Sequence, residues 1–162
     1  MSLVDCVLDP ATGCVTCPAI AEVPAIPPHL EVSTMVGWNA GATSVSFLAD
    51  AVHTVFQVEA CIGGIVCGFR SSRDRNWIPE LVQYGFYFQE VAGILFASVV
   101  ELGNTRVLNV EVDNAAHFEI RRVGAQVVYL VDNVVFYRST VPCTNPALLV
   151  AACLYISGDT IA

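Results

Sequence analysis

From residue 29 onward the chain alternates short apolar runs with residues that favour turns, and this pattern constrains the fold more than any other feature. The runs are rich in Val, Ile, Phe and Tyr, while Gly, Asn and Asp stand between them. Short apolar runs separated by turn-forming residues are typical of antiparallel strands joined by tight turns. We predict strands over these residues: 31–36, 53–61, 65–69, 81–89, 93–101, 106–112, 117–123, 126–131 and 134–139.

The number of predicted strands determines how they must be arranged. We expect roughly ten to twelve strands in all, which is too many for one flat sheet. Two packed antiparallel sheets, as in a sandwich or jelly roll, accommodate them. The run at 53–61 has apolar residues on both faces, for example Val55 and Phe56, as expected where both faces of a sheet are covered. The predicted fold class is therefore all-β, a two-sheet antiparallel sandwich.

Residues 145–152 carry two contradictory signals. Asn145 and Pro146 resemble a helix start, since Asn is a favoured N-cap and Pro is favoured at the first helical position. The apolar run that follows suits equally a central strand buried on both faces. We predict a strand here, in part because of the family resemblance given below.

Residues 1–28 differ in composition from the rest of the chain. They contain Pro10, Pro18, Pro24, Pro27 and Pro28 as well as three of the seven cysteines. Proline at this density opposes helix and strand pairing, so the segment is predicted to run extended. Its many apolar residues favour an arm ordered against a neighbouring subunit over a disordered leader. The predicted organisation is an arm over 1–28 and a β-sandwich domain over 29–162.

The charge content limits the classes of partner. Only 14% of residues are charged and 55% are hydrophobic, against usual values of about 25% and about 45–50%. So few charges suit a homo-oligomer or an assembly subunit, which hides surface against its neighbours. The formal net charge is −8 and lysine is absent. Because phosphate neutralisation dominates nucleic-acid affinity, no nucleic-acid partner is predicted.

The sequence also bears on membranes and targeting. No segment reaches the roughly 18 apolar residues of a membrane span, so no membrane insertion is predicted. The first residues lack the basic region of a signal peptide, which predicts synthesis and folding in a cytosol.

The cysteines give two candidate pairs. Cys14 and Cys17 have metal-knuckle or redox spacing, but a structural zinc needs four ligands and no second close pair exists. Inert thiols are the first interpretation, ahead of a disulfide formed outside the cell and of a metal completed by Cys6 and His29. We predict no metal and no cofactor.

The second pair, Cys61 and Cys67, flanks Gly63 and Gly64, which predict a tight hairpin turn between the strands at 53–61 and 65–69. A three-residue loop would place the two cysteines opposite each other, whereas a two-residue loop would place them on opposite faces. We favour buried free thiols, and a cross-strand disulfide is the alternative.

Catalytic patterns are sparse. Glu111 near the end of the strand predicted over 106–112 and Asp113 just after it alternate as paired carboxylates of a glycosidase do. Asn114 and two alanines follow where sandwich glucanases carry a third carboxylate. The histidines at 29, 53 and 117 lack ligand or triad spacing. We therefore predict that the chain is not an enzyme.

Residues 70–77 form the one basic, polar segment of the predicted domain. Loops between strands commonly carry binding residues. The ligand-binding candidates are Arg70, Arg73, Arg75, Trp77 and, after an earlier strand, Trp38. The alternative is structural, with Trp77 closing one end of the sandwich and Trp38 in the core.

Several stretches together resemble a known family. Residues 36–42 resemble an opening motif of small phage virion proteins, and the later stretches resemble hairpins and the closing strand of concanavalin-A-like, laminin-G-like jelly rolls. The resemblance rests on aromatic and glycine patterns in these residues: 36–42, 84–88, 100–103, 118–124, 127–129, 136–139 and 154–161. The turn at Asp132 and Asn133 departs from the family, which has a glycine there.

The resemblance implies a non-enzymatic structural protein of a bacteriophage virion, in the tail, tail tip or fibre, assembled in the host bacterial cytoplasm. Its implied partners are neighbouring virion subunits, contacted through residues 1–28, and in addition host-surface glycans. The alternatives are a carbohydrate-binding, lectin-like module outside a virion and a sandwich-fold glycosidase. The calcium site of laminin-G domains is not implied, because no matching set of carboxylates is present.

Overall fold

The computed structural model describes residues 7–8, 15–16, 36–38, 40–44, 47, 51–73 and 76–162. Near the N-terminus, β1 (Val7–Leu8) pairs antiparallel with β2 (Val15–Thr16). The rest of the predicted arm, including Cys6, Cys14 and Cys17, lies outside the described residues, as does His29. The pairing of β1 with β2 departs from the expectation that proline opposes strand pairing in this segment. The boundaries of the arm and its partners stay predictions.

The body of the structure is built from strands. They are β3 (Ala40–Thr43), β4 (Ala51–Ala60), β5 (Ile65–Arg70), β6 (Val82–Val91), β7 (Ile94–Glu101), β8 (Asn104–Val112), β9 (His117–Val123), β10 (Gln126–Val131), β11 (Val134–Arg138), β12 (Leu149–Leu154) and β13 (Thr160–Ile161). One short 3-10 turn, Pro79–Leu81, precedes β6. Within the described part of the chain there is no α-helix, and no helix long and apolar enough to cross a membrane.

The strands form two antiparallel sheets. The six-stranded sheet has the order β3-β12-β5-β6-β7-β8, and the five-stranded sheet has the order β11-β10-β9-β4-β13. The chain thus begins in the six-stranded sheet with β3, crosses to the five-stranded sheet for β4 and returns for the four consecutive strands β5 to β8. It then crosses for β9 to β11, returns for β12 and crosses once more for β13. The fold is a two-sheet antiparallel sandwich of the jelly-roll type, and the predicted fold class is confirmed.

Period-two alternation places the core between the two sheets. On β6, Tyr84, Phe86 and Phe88 point inward, and the two phenylalanines meet Phe118 of β9. The Phe86 and Phe88 rings lie 5.5 and 4.6 Å from the Phe118 ring, centroid to centroid, in edge-on contacts. Such contacts contribute beyond the burial of apolar area alone, so these rings fix how the sheets stack.

The hairpin predicted at Gly63 and Gly64 is wrong. β4 pairs with β9 and β13, whereas β5 pairs with β6 and β12, so this turn carries the chain from one sheet to the other. A local glycine pair signals a turn but not which strands it joins. The prediction of buried free thiols at Cys61 and Cys67 is confirmed. Burial raises the pKa of Cys61 to about 12 and that of Cys67 well above its usual range.

The strand predicted near the C-terminus is confirmed, since β12 lies between β3 and β5. Asn145 does not begin a helix, although its Oδ1 accepts the Ala147 N–H at 2.9 Å, as in a local turn. The single closing strand implied for 154–161 is wrong, because residues 155–159 form a turn between β12 and β13. Of the strand predicted at 31–36, only Val36 is described, and it lies in a bend.

Candidate functional site

A second apolar cluster lies outside the core, on the outer face of the six-stranded sheet. Val66, Val82 and Cys153 are buried there although they alternate with core-facing residues of the same strands. The half-buried side chains that pack on them are Trp38, Trp77, Tyr87 and Val100. Both predicted tryptophans therefore reach the same sheet face, although they come from different connections.

The strand register explains how this face is laid out. One row of outward positions crosses the sheet from β3 to β7: Gly41, Cys153, Val66, Tyr87 and Ser98. Ser98 continues the row to β8, because its Oγ accepts the Asn109 N–H at 2.9 Å and lies 3.2 Å from Asn109 Oδ1. The β3–β12–β5 end of this row is apolar, and the β7–β8 end is polar.

Trp77 covers the apolar end of the row. A Cβ at position 41 would lie 2.6 Å from Trp77 Cε3, so Gly41 leaves the space in which the indole rests. Arg70, at the end of β5, lies with its guanidinium carbon 5.7 Å from the Trp77 ring centroid. It donates hydrogen bonds to Asn76 O at 3.0 Å and Ser72 Oγ at 2.7 Å. Arg70 thus anchors the loop that carries Trp77.

The five predicted ligand-binding residues therefore occupy different environments. Arg70 is fully buried, so its position suits a structural role better than contact with a ligand. Arg73 is exposed, and its guanidinium carbon lies 4.5 Å from the centroid of the Phe47 ring. Arg75 lies outside the described residues. Trp38 and Trp77 are the two that share a surface.

Trp38 lies at the other end of the apolar cluster. Its ring lies 5.2 Å from the Tyr155 ring, edge-on, and 6.2 Å from the Tyr87 ring, centroid to centroid. The backbone beside it is fixed, because the Gly37 N–H donates to Tyr155 O at 2.9 Å. A Cβ added at Gly64 would lie 3.4 Å from Trp38 Cη2, so the indole rests against that turn.

A single carboxylate holds together the two loops beneath Trp38. Asp159 is buried, and its oxygens accept backbone N–H groups from the β4–β5 crossing and from the β12–β13 turn. The donors are Ile62, Gly63, Gly64, Tyr155 and Ile156, at 2.6, 2.9, 3.3, 3.1 and 3.0 Å. Asp159 therefore sets the position of Tyr155 and of the Gly64 turn, the two supports of Trp38.

The open part of this face lies over β6, β7 and β8. A second row of outward positions runs beside the first, with Gln89 paired to Phe96 and Phe96 paired to Glu111. Gln89 and Phe96 are half-buried, whereas Asn109 and Glu111 are exposed. We call the following set the Tyr87 surface: Trp38, Tyr87, Gln89, Phe96, Asn109 and Glu111.

The Tyr87 surface combines two kinds of contact. Trp38, Tyr87 and Phe96 present aromatic rings, and burial, with a smaller effect of nearby Cys61 and Tyr155, raises the pKa of the Tyr87 phenol. The phenol therefore stays a hydrogen-bond donor at neutral pH. Beside the rings stand two amides and a carboxylate. Such a surface suits a ligand with an apolar face and polar edges.

Glu111 and Asp113, the alternative considered for a glycosidase, do not lie on the same strand. Glu111 lies on β8 and belongs to the Tyr87 surface, but β8 ends at Val112. Asp113 lies in the turn that follows, where its Oδ1 accepts the Ala115 N–H at 2.7 Å. Among the described residues, no three His, Cys, Asp or Glu side chains are grouped so that they could hold a metal ion.

Sequence reasoning missed Tyr87, Gln89, Phe96 and Asn109. Tyr87 and Gln89 flank inward-facing Phe88, so period two alone assigns them to the other face. An outward tyrosine beside an outward glutamine was the available signal. Asn109 carried no such signal in the sequence. It lies where the pairing of β7 with β8 is irregular, and its φ is 48°.

Comparison with known proteins gives similarity in structure only. No family model matches the sequence, and no curated protein matches it in a sequence search. The β-glucanase of Bacillus licheniformis is similar at a TM-score of 0.46 and 9% identity, over 74% of this chain and 59% of the glucanase. Sheep galectin-11, in complex with glycerol, is similar at 0.44 and 11%, over 75% and 95% of the two chains.

A third similar structure is the carbohydrate binding module CBM66 of Bacillus subtilis, with a TM-score of 0.39, 12% identity and coverage of 76% of each chain. The bacteriophage setting implied by the sequence resemblance finds no support among these structures. The assignment of the fold rests on the strand order of this chain itself.

Proposed function

We propose that this chain is a non-enzymatic carbohydrate-binding domain that holds a glycan on the Tyr87 surface. The observation that carries the proposal is the convergence of three aromatic rings with a row of amide and carboxylate groups on one sheet face. A pyranose ring has an apolar C–H face that packs on an aromatic ring. Its hydroxyl groups, at the edges, need donors and acceptors of the kind that Gln89, Asn109 and Glu111 offer.

The surface is held rigid by its surroundings, which favours binding. Tyr87 and Phe96 project from central strands, and Trp38 is held by Tyr155 and the Gly64 turn. Rings that are already ordered lose little conformational entropy on binding. Since the surface is a sheet face and not a deep cleft, we expect a weak affinity for a monosaccharide, with a Kd of about 0.1–1 mM, or about −4 to −5.5 kcal/mol.

A glycan array followed by titration of the best binder tests the proposal. Tyr87→Ala and Phe96→Ala should each weaken binding about tenfold, or about 1.4 kcal/mol. Trp77→Ala, which uncovers the apolar end of the row, tests the predicted loop residue. Tyr137→Ala removes a half-buried ring from the other sheet and should leave the Kd unchanged. An array without any binder, or equal Kd values for all variants, refutes the proposal.

The non-enzymatic part of the proposal has its own test. Glycosidases use two carboxyl groups about 5–9.5 Å apart on either side of the scissile bond. Glu111 is the one acid of the Tyr87 surface, and its nearest acid in the sequence caps a turn. Incubation with any bound oligosaccharide should release no reducing sugar. Release that Glu111→Gln abolishes would overturn this part.

We propose further that the domain works as a structural component of a bacteriophage virion, in the tail, tail tip or fibre. The low charge content supports this, as do exposed apolar side chains on one edge strand of each sheet. They are Leu108 and Val110 on β8 and Val134 and Val135 on β11. The proposed neighbours are other subunits, reached through residues 1–28. Mass spectrometry of purified particles should detect the chain. Its absence from particles, together with a monomeric mass by light scattering of the full chain, would count against this setting.

A further inference from the structure

The outer face of the five-stranded sheet carries a shallow pocket that the Tyr87 surface does not involve. Its volume is about 310 Å³, and it is lined by Val55, His117, Glu119 and Asn133. Cavities for small ligands begin at about 300 Å³, so this one suits a single side chain or a comparable group. It lies on the opposite side of the sandwich from the proposed glycan surface.

Glu119 forms the floor of the pocket because of its place in the sheet. It points outward from β9, the central strand, and its register neighbours are Val55 on β4 and Leu130 on β10. These aliphatic neighbours leave its side chain only 8% exposed. A carboxylate this deeply placed must be paired or must bind something, since burying an isolated charge is costly.

Arg121 satisfies one edge of this carboxylate. Its Nε donates to Glu119 Oε1 and its Nη2 to Oε2, both at 3.0 Å, in a fork geometry. His53 Nδ1 lies 3.8 Å from Oε1 on the same side. A carboxylate has about four acceptor positions, and the fork occupies two of them. The remaining acceptor capacity of Glu119 is left for a donor in the pocket.

The rim adds negative charge. Asp132 Oδ1 accepts a hydrogen bond from the backbone N–H of His117 at 2.9 Å and lies 3.7 Å from Nδ1 of the His117 ring. Asp132 and Asn133 form the β10–β11 turn with φ angles of 48° and 64°, which sets the wall of the pocket. Glu119 and Asp132 supply two carboxylates here and Arg121 supplies one guanidinium, on a chain of formal net charge −8. The local field therefore favours a cation.

We propose that this pocket binds a primary alkylammonium group of the lysine side-chain type. An ammonium is a compact charge that needs single acceptors, whereas a guanidinium would need a second planar fork of the kind that Arg121 already takes. Val55 is 52% exposed at the wall, and a methylene stem can lie along it. The 162 residues of this sequence contain no lysine, so none of them, in this copy or in a second one, supplies the side chain.

The test is an NMR titration of the full chain labelled with ¹⁵N. N-acetyl-lysine methylamide should shift the amide signals of Val55, His117, Glu119 and Asn133, while N-acetyl-norleucine methylamide, which lacks the ammonium, should not. A titration with butylammonium shows whether the pocket recognises a free amine or a peptide. Equal affinities of butylammonium and the lysine compound indicate recognition of a free amine. Tighter binding of the lysine compound indicates recognition of a peptide. Raising the salt from about 0.01 M to about 1 M should weaken binding, because the Debye length falls from about 30 Å to about 3 Å.

Two variants and a control complete the design. Glu119→Gln should weaken binding at least tenfold, and Glu111→Gln, an equal charge change on the other sheet, should not. Glu119→Gln also removes the partner of Arg121. The second variant is therefore Val55→Phe, which fills the pocket and leaves the ion pair of Glu119 and Arg121 in place. Equal shifts with lysine and norleucine compounds, unchanged binding by folded Val55→Phe, or equal losses in Glu119→Gln and Glu111→Gln would each overturn the proposal.

Discussion

Replacement of Asp159 should destabilise the domain more than replacement of any exposed carboxylate. Asp159→Ala removes the acceptor of five backbone N–H groups, from Ile62, Gly63, Gly64, Tyr155 and Ile156. A hydrogen bond to a charged group contributes about 1.5–3 kcal/mol, and a buried donor left without a partner costs about 1–3 kcal/mol. The donor at Gly64 is buried, whereas the other four are partly accessible, so that water replaces some of the lost bonds.

These magnitudes give a loss of about 3–5 kcal/mol in the free energy of unfolding for Asp159→Ala. Asp159→Asn keeps the shape and one carbonyl acceptor, and we expect about half that loss. A domain of this size unfolds with about 5–15 kcal/mol, so the alanine variant should remain folded but lose much of its stability. The corresponding fall in Tm is about 10–20 °C.

Urea unfolding followed by tryptophan fluorescence measures the loss, and Trp38 rests on the two loops that Asp159 joins. Asp113→Ala is the matched control, because Asp113 is exposed and its side chain accepts one backbone N–H, that of Ala115. We expect less than about 1 kcal/mol there. If Asp159→Ala costs no more than Asp113→Ala, the carboxylate does not hold the loops together and the reasoning is wrong.

Three further predictions concern the core and its thiols. Burial raises the thiol pKa from 9.0 to about 11 for Cys153 and to about 12 for Cys61. As the pH rises, the unfolded chain therefore loses these protons before the folded chain does. The Tm should therefore stay level below about pH 9 and fall as the pH rises from 9 towards 12, which calorimetry would show. Gly68→Ala would put a methyl group against Tyr84 O and 2.5 Å from the Gly85 Cα. It should cost about 2–3 kcal/mol in urea unfolding, and no loss would contradict the packing. Phe86→Ala, at a fully buried ring, should cost about 3–5 kcal/mol by the same measurement, and a loss below about 1 kcal/mol would contradict its place in the core.

The sequence by itself determined the local structure of this protein. Alternation of inward aromatics with outward residues fixed β6, because a strand turns successive side chains to opposite faces. The predicted turns at Gly124 and at Asp132 with Asn133 are present, since these residues tolerate the positive φ angles found there. Strand limits over 117–123 and 126–131 also follow from this local pattern.

Only the tertiary structure decided which strands meet. Gly63 and Gly64 look like a hairpin turn in the sequence, but the chain crosses there to the other sheet, because β5 finds its partners in β6 and β12. Arg70 looks like a residue of an exposed loop, yet it ends a strand and is buried beneath Trp77. No local signal distinguishes these outcomes, since strand pairing depends on residues far away in the chain.

The two proposed sites show the same division. The residue types of the Tyr87 surface and of the Glu119 pocket stand in the sequence, but each site also needs a residue from far away in the chain. Trp38 joins residues of β6, β7 and β8, and Val55 of β4 joins residues of β9 and of the β10–β11 turn. Irregular register between β7 and β8 also decides which side chains reach the surface. A shift of one residue moves a side chain to the opposite face, so a site on a sheet is defined only when the register of its neighbours is known.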